Sequence, residues 1–264
     1  MLKRILITVL FLSFAAAPAF AGFDEGKKAY DKKDWPAAIK ELRPLAESGD
    51  DRAMVILGNM YHSGYGVVSS EKEAMRLYKR AATEKNNTQA MDAIGAMYVS
   101  AVGVEQNLMT ARDWFKRSAL LGDQAGAFFY ASLLLGNKTP PNNLPPDLYN
   151  AYKWFKIGAQ KKDDLKLQNL CSKMALGIAK KLLPKDQTDK ADKEAADWKP
   201  VGVETLGPVP PDPSRLKIAP PGPQFLPKPR TAPATPVTPP APTNSLPPSA
   251  APDKPADPAA PPAK

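Results

Sequence analysis

Across residues 51–118 the apolar positions fall three and four apart, and the whole pattern is written nearly twice. Ala53, Leu57 and Tyr61 share one side of a predicted helix, a turn follows at Gly64 and Gly66, and a second helix carries Ala74, Tyr78, Ala81 and Ala82 on one face. The same order returns 37 residues later: Ala90, Ile94 and Tyr98, a turn at Gly103, then Ala111, Phe115 and Ala119. A fixed period of this size predicts helical hairpins stacked side by side, because one hairpin alone cannot bury its apolar face. Gly58 and Gly95 stand where the partner helix must come close, and Gly64 and Gly66 suit a left-handed turn.

The rest of the chain extends this pattern. Residues 26–46 read as a helix, a turn at 32–35, and a second helix with Pro36 in its first turn, a bend at Pro44 and a stop at Gly49. A degenerate third copy follows the second: Gly122 and Asp123 answer Gly49 and Asp50, Ala131 stands for Gly58 and Gly95, and Leu134 takes the tyrosine position. Residues 151–159 then match 111–119, after a stretch at 137–146 that is four residues longer than in the other units and holds two diproline pairs, which forbid helix. Asp163 or Asp164 is predicted to cap a helix to about 181, and residues 185–198 offer another. These two would cover the open end of the stack, with Trp198 as the last core anchor. The expected fold is all-α, an α/α superhelix over residues 22–199. It divides into units 22–50, 51–87, 88–123 and 124–162 and capping helices at 163–199.

Composition changes the picture at the two ends. Lys3 and Arg4, an apolar run at 5–17 and the small residues Ala19 and Ala21 form a secretory signal peptide over residues 1–21, cut after Ala21, so a periplasmic or secreted protein is expected. The apolar run is too short for an ordinary membrane span, and no later stretch is long enough. From Lys199 on, 66 residues hold 22 of the 30 prolines. Such a segment cannot offset its ordering entropy by burial, so residues 200–264 are predicted to be a disordered Pro/Ala-rich tail. Between residues 22 and 199 there are 28 Lys and Arg against 23 Asp and Glu, alternating on helix faces. That balance, without a basic stripe, argues against nucleic acid. Cys171 is the only cysteine, so no internal disulfide forms; its helical spacing with Leu167, Leu170 and Met174 predicts a buried thiol.

Candidate chemistry is sparse. His62 is the sole histidine, which removes paired-histidine metal sites, and neither a phosphate-binding glycine loop nor a nucleophile elbow is present. The acidic pairs Asp50-Asp51 and Asp163-Asp164 fall at helix starts, where carboxylates cap free N–H groups. No catalytic residue, metal or cofactor is therefore expected. A binding face is. One residue past the core face of each first helix stand Val55, Asn59 and His62, then Asp92, Ala96 and Val99, then Phe128, Ser132 and Leu135. In a curved stack these nine would line a concave groove for an extended or helical peptide.

The residues Ala53, Leu57-Gly58, Tyr61, Gly64-x-Gly66-Val67, Ala74, Leu77-Tyr78 and Ala81-Ala82 resemble the Sel-1-like repeat, a branch of the tetratricopeptide superfamily. The second copy keeps the pattern at Ala90, Ile94-Gly95, Tyr98, Gly103-Val104, Ala111, Trp114-Phe115 and Ser118-Ala119, with Ala101 replacing the first loop glycine. The resemblance implies a helical binding scaffold, in bacteria often exported. The leading expectation is a non-enzymatic adaptor for a protein or peptide partner, its tail a spacer, a wall contact or a second docking site. The competing expectation is a protein that binds or hydrolyses peptidoglycan or β-lactams.

Overall fold

The computed structural model describes residues 19–136 and 144–210, and among these described residues every regular element is helical. Ten α-helices follow in order: α1 Ala19–Asp31, α2 Trp35–Ser48, α3 Asp51–Ser63, α4 Glu71–Glu84, α5 Thr88–Ser100, α6 Leu108–Leu120, α7 Gln124–Leu134, α8 Leu148–Gln160, α9 Leu165–Lys181 and α10 Lys185–Asp197. Residues 1–18 of the expected signal peptide, the diproline stretch at 137–143 and the tail from 211 on lie outside the described residues.

Short polar side chains set where these helices begin. Asp34, Asp50, Ser70, Asn87, Asn107, Asp123, Asp147 and Asp164 each accept a hydrogen bond from a backbone N–H in the first turn of the helix that follows. Each bond satisfies a donor that has no partner inside the helix. Of the two acidic pairs, Asp50 and Asp164 are the caps, while Asp51 accepts from the amide of Asn87 at 2.6 Å and so ties one hairpin to the next. At the far ends α3 stops at Gly64 with φ of +71°, and α5 stops at Ala101 with φ of +56°, the same left-handed turn made without a glycine.

Consecutive helices pair as α1/α2, α3/α4, α5/α6 and α7/α8, and each second helix also packs against the first helix of the next pair. The first helices of successive pairs approach one another directly at α1–α3, α5–α7 and α7–α9. The core runs along the whole stack through Leu42, Met54, Met60, Tyr78, Met91, Ile94, Tyr98, Phe115 and Phe155, all buried. Glycine makes the closest crossings possible. A Cβ at Gly58 would stand 2.6 Å from the Tyr78 ring, and one at Gly95 would stand 2.6 Å from Phe115.

The end of the stack differs from expectation in two ways. Only α9 lies against the last hairpin as a new layer; α10 turns back onto α8, held by Tyr152 Oη–H donating to Asp192 at 2.8 Å and by the Lys153–Glu194 pair at 3.0 Å. Leu165, Leu170 and Leu176 of α9 remain exposed as a result. Residues 200–210, predicted to belong to the disordered tail, instead lie along α6, with a 3-10 turn at Val203–Thr205 and Leu206 5 % exposed. Trp198 stacks edge-on against Trp154 at 5.4 Å but is not the last anchor, because Leu206 buries further on. Proline-rich composition excludes a helix or sheet from this segment, not an extended chain with one apolar anchor. Cys171 is buried against α8, and burial pushes its thiol up to about 11, so it is a packing residue.

Candidate functional site

Helices α3 and α5 approach each other less closely than α5 and α7, and a pocket of about 240 Å³ opens between them. Asn59 and His62 line it from α3, Tyr78 from α4, Ala93, Ala96, Met97 and Ser100 from α5, and Val102 from the following turn. The walls are mostly apolar and the polar groups few. Pockets for drug-sized ligands usually begin at about 300 Å³, so this one suits one or two side chains of a larger partner.

The Tyr78 hydroxyl donates to Asn59 Oδ1 at 2.6 Å. The missing side chain at Gly58 makes this possible, since the ring slides under α3 where a Cβ would stand. Burial, with Glu71 and Tyr30 adding to it, pushes Tyr78 far above the usual tyrosine range and keeps it a neutral donor. Because the bond occupies the carbonyl side of the Asn59 amide, its NH2 donors remain the groups a ligand carbonyl would seek. His62 is exposed, with Nδ1 2.7 Å from Glu71 Oε2 in the first turn of α4. Its backbone carbonyl accepts from Ser69 at 3.3 Å, and the Glu71 contact ties the imidazole to the start of α4. No group of residues that could hold a metal ion occurs among the described residues.

Of the nine expected groove residues, the structure brings Asn59, His62 and Ala96 together in this pocket. Val55 is 6 % exposed and belongs to the core, which corrects its place in the groove. Asp92 faces Ser118 and Asp123 on the side of α5 away from the pocket, with Oδ1 buried and unbonded. Burial first, then the neighbouring Asp123, pushes its carboxyl up to about 8. It is therefore a half-buried acid at a junction between hairpins, with one carboxylate oxygen shut off from solvent, and it does not line the pocket. Val99 packs half-buried against the core. Phe128 stacks with Phe129 and Phe155 at 5.5 and 5.8 Å, Ser132 returns its hydroxyl to the Phe128 carbonyl at 2.8 Å, and Leu135 is half-buried. None of these lines the α3–α5 pocket.

The correction has a geometric reason. Two neighbouring parallel helices turn different flanks to the space between them, so a register read on one carries over to the next only in part: Ala96 lines the gap with its counterpart Asn59, while Asp92 and Val99 do not. Asn59 and His62 on α3 are therefore met on α5 by Ala93, Met97 and Ser100, one position round from Asp92 and Val99. Tyr78 was legible in principle, because Gly58 already signals a side chain of the partner helix beneath Asn59.

The Sel1 repeat pattern matches residues 51–86, 88–123 and 127–163, and these ranges hold the hairpins α3/α4, α5/α6 and α7/α8. The chain carries three Sel1 repeats. The pocket lies where the first Sel1 repeat meets the second, and α1, α2 and most of α9 and α10 fall outside the matched ranges. Sel1 repeat proteins generally act as protein–protein interaction scaffolds. Two solved structures are similar to this chain. A Sel1 repeat protein from Oxalobacter formigenes is 23 % identical over 51 % of this chain and 97 % of that one, with a TM-score of 0.43. The protein c5321, a protective antigen present in uropathogenic Escherichia coli strains and displaying an SLR fold, is 19 % identical over 67 % of this chain and 46 % of its own, with a TM-score of 0.48. Among curated proteins none matches the sequence.

Proposed function

We propose that the protein is an exported, non-enzymatic adaptor whose α3–α5 pocket receives one apolar side chain of a protein or peptide partner. The observation that supports this reading is the pocket itself: apolar walls from Ala93, Ala96, Met97 and Val102, with the Asn59 amide and the His62 imidazole at hand to fix a partner backbone. Shallow apolar anchors flanked by a few polar groups are the usual form of a peptide-binding groove on paired helices. Reaction chemistry has little to work with here, since His62 is paired to Glu71 at the surface and Tyr78 is locked neutral.

Ala96 is exposed, so Ala96→Trp fills the pocket without disturbing the core. A photo-crosslinker placed at Ser100, exposed at the pocket's edge, should capture a partner in intact cells, and Ala96→Trp should abolish that capture while leaving the melting temperature unchanged. Equal capture by the variant overturns the pocket as the docking site. Export is tested separately: the chain recovered from cells should be shorter by the first 21 residues and lie outside the cytoplasm. A full-length cytoplasmic form overturns that part of the reading.

A further inference from the structure

On α6, away from the pocket residues, Arg117 carries out a task the repeat pattern does not call for. Its Nη1 donates to three successive backbone carbonyls, those of Leu206 at 2.9 Å, Gly207 at 2.9 Å and Pro208 at 3.1 Å. Gly207 has φ of +49°, and that left-handed turn folds the three oxygens onto one cation. Leu206, 5 % exposed, is the apolar anchor beside them. Upstream, the Val201 N–H donates to the Leu120 carbonyl at the end of α6 at 2.9 Å, and Pro200 sits on Gly122, where a Cβ would meet its Cγ at 2.7 Å. Four separate features thus hold this segment, which carries one 3-10 turn at Val203–Thr205: a backbone acceptor, a glycine shelf, a buried apolar anchor and a cationic donor.

The recognition is by main chain and not by side-chain charge. Among the described residues the partners of Arg117 are neutral carbonyls, its Nε is buried without a partner, and burial pulls the guanidinium below its usual range. A guanidinium so placed accepts any segment that delivers convergent carbonyls. We propose that α6 and the α6–α7 turn form a second docking site, for a short peptide that folds through a 3-10 turn into an aliphatic-Gly-Pro sequence, which the chain's own residues 201–208 fill in cis. The site is independent of the α3–α5 pocket, and a partner segment of the same chemistry must displace the cis strand to enter.

Displacement has a predictable size. A short tether holds the cis strand at an effective concentration on the order of millimolar, so a free peptide with a dissociation constant of about 100 μM is weakened roughly tenfold by competition. The test uses the full chain and a labelled synthetic peptide of sequence 199–210 as probe. Leu206→Asp in the full chain undocks the cis strand from outside the helices and should tighten probe binding about tenfold. Adding Arg117→Met, which keeps the aliphatic stem but loses every donor to the three carbonyls, should return binding to background. Val201→Pro, which removes the donor to Leu120, provides a second way to undock the strand and should behave like Leu206→Asp. Helical circular dichroism unchanged in each variant confirms that the repeats stay folded. Probe binding that is equal in the wild type and in both undocked variants overturns the proposal, as does binding that survives Arg117→Met.

Discussion

Replacing Asp92 by Asn should stabilise the protein, and by an amount that grows with pH. Asp92 sits where the second repeat meets the third, facing Ser118 and Asp123, with Oδ1 buried and unbonded. Asp123 already accepts from the Gly126 N–H and the Thr88 hydroxyl, both at 2.9 Å, so Asp92 is the member of the pair that carries a proton. Its carboxyl is pushed from 3.8 to about 8, first by burial and then by the neighbouring charge. The sign follows from proton counts. Between pH 4 and 8 the unfolded chain releases this proton and the folded chain keeps it, so folding loses stability as pH rises, down to a floor above pH 8. At 1.36 kcal/mol per pH unit, holding the acid neutral costs about 4 kcal/mol at pH 7 and about 2 kcal/mol at pH 5. Asn has nearly the shape of the neutral acid and never ionises, so the variant escapes this cost. Urea unfolding of both proteins at pH 5, 6, 7 and 8 should show a stability gap that favours Asn and widens by roughly 2–3 kcal/mol from pH 5 to pH 7. The contributions of carboxylates far from Asp92 cancel in the difference, and Asp123, its charged neighbour, is the one that does not. A gap that is constant across this range, or an Asn variant less stable at pH 7, would refute the reasoning.

Ala101 holds a left-handed turn that its counterpart Gly64 makes freely, so Ala101→Gly should raise stability by about 0.5–1 kcal/mol, the left-handed cost less the added freedom of the unfolded chain; a lower melting temperature would contradict this. Gly58→Ala drives a methyl group into the Tyr78 ring and should cost roughly 1–3 kcal/mol, with loss of the Tyr78–Asn59 hydrogen bond visible in the tyrosine ultraviolet spectrum. Gly95→Ala should cost a similar amount against Phe115 and leave that spectrum unchanged. The Cys171 thiol, buried and pushed up to about 11, should resist an aromatic disulfide reagent at pH 8 and react only when urea opens the α8–α9 contact.

Much of this architecture was legible because the features that build it are local and repeat. Gly58 and Gly95 announced close crossings, and Asp50 and Asp164 announced helix starts; each acts on residues within a few positions or on a helix one hairpin away. The binding face was legible only in part. Register along one helix gave Asn59, His62 and Ala96, but which flank meets which neighbour depends on how helices sit side by side, and so Asp92 turned toward Asp123 while Ala93 and Ser100 turned toward Asn59. The strand at 201–208 was not legible as a docked element. Its contacts with Arg117 span about 90 residues of sequence and are made by backbone atoms, which leave no mark in side-chain periodicity.

The first two repeats can also be set against each other position by position, and the places where they differ are the places where the surface becomes distinctive. Gly58 and Gly95 perform the same packing task, yet the ring beneath Gly58 is a tyrosine and the ring beneath Gly95 is a phenylalanine. The next residue changes with it, from Asn59, which accepts the hydroxyl, to Ala96, which could not. A buried hydroxyl without an acceptor costs more than no hydroxyl at all, so donor and acceptor appear or disappear together. The polar pair therefore occurs at the junction where α3 and α5 stand apart, and of the apolar pair Ala96 lines the pocket with it. Exchanging the two, with Asn59→Ala and Tyr78→Phe together, should leave the stack nearly as stable as the wild type, whereas Asn59→Ala alone strands the hydroxyl and should cost about 1–3 kcal/mol. A double variant no more stable than the single one would mean that the hydroxyl finds another partner, and that Asn59 is held in the pocket by something other than Tyr78.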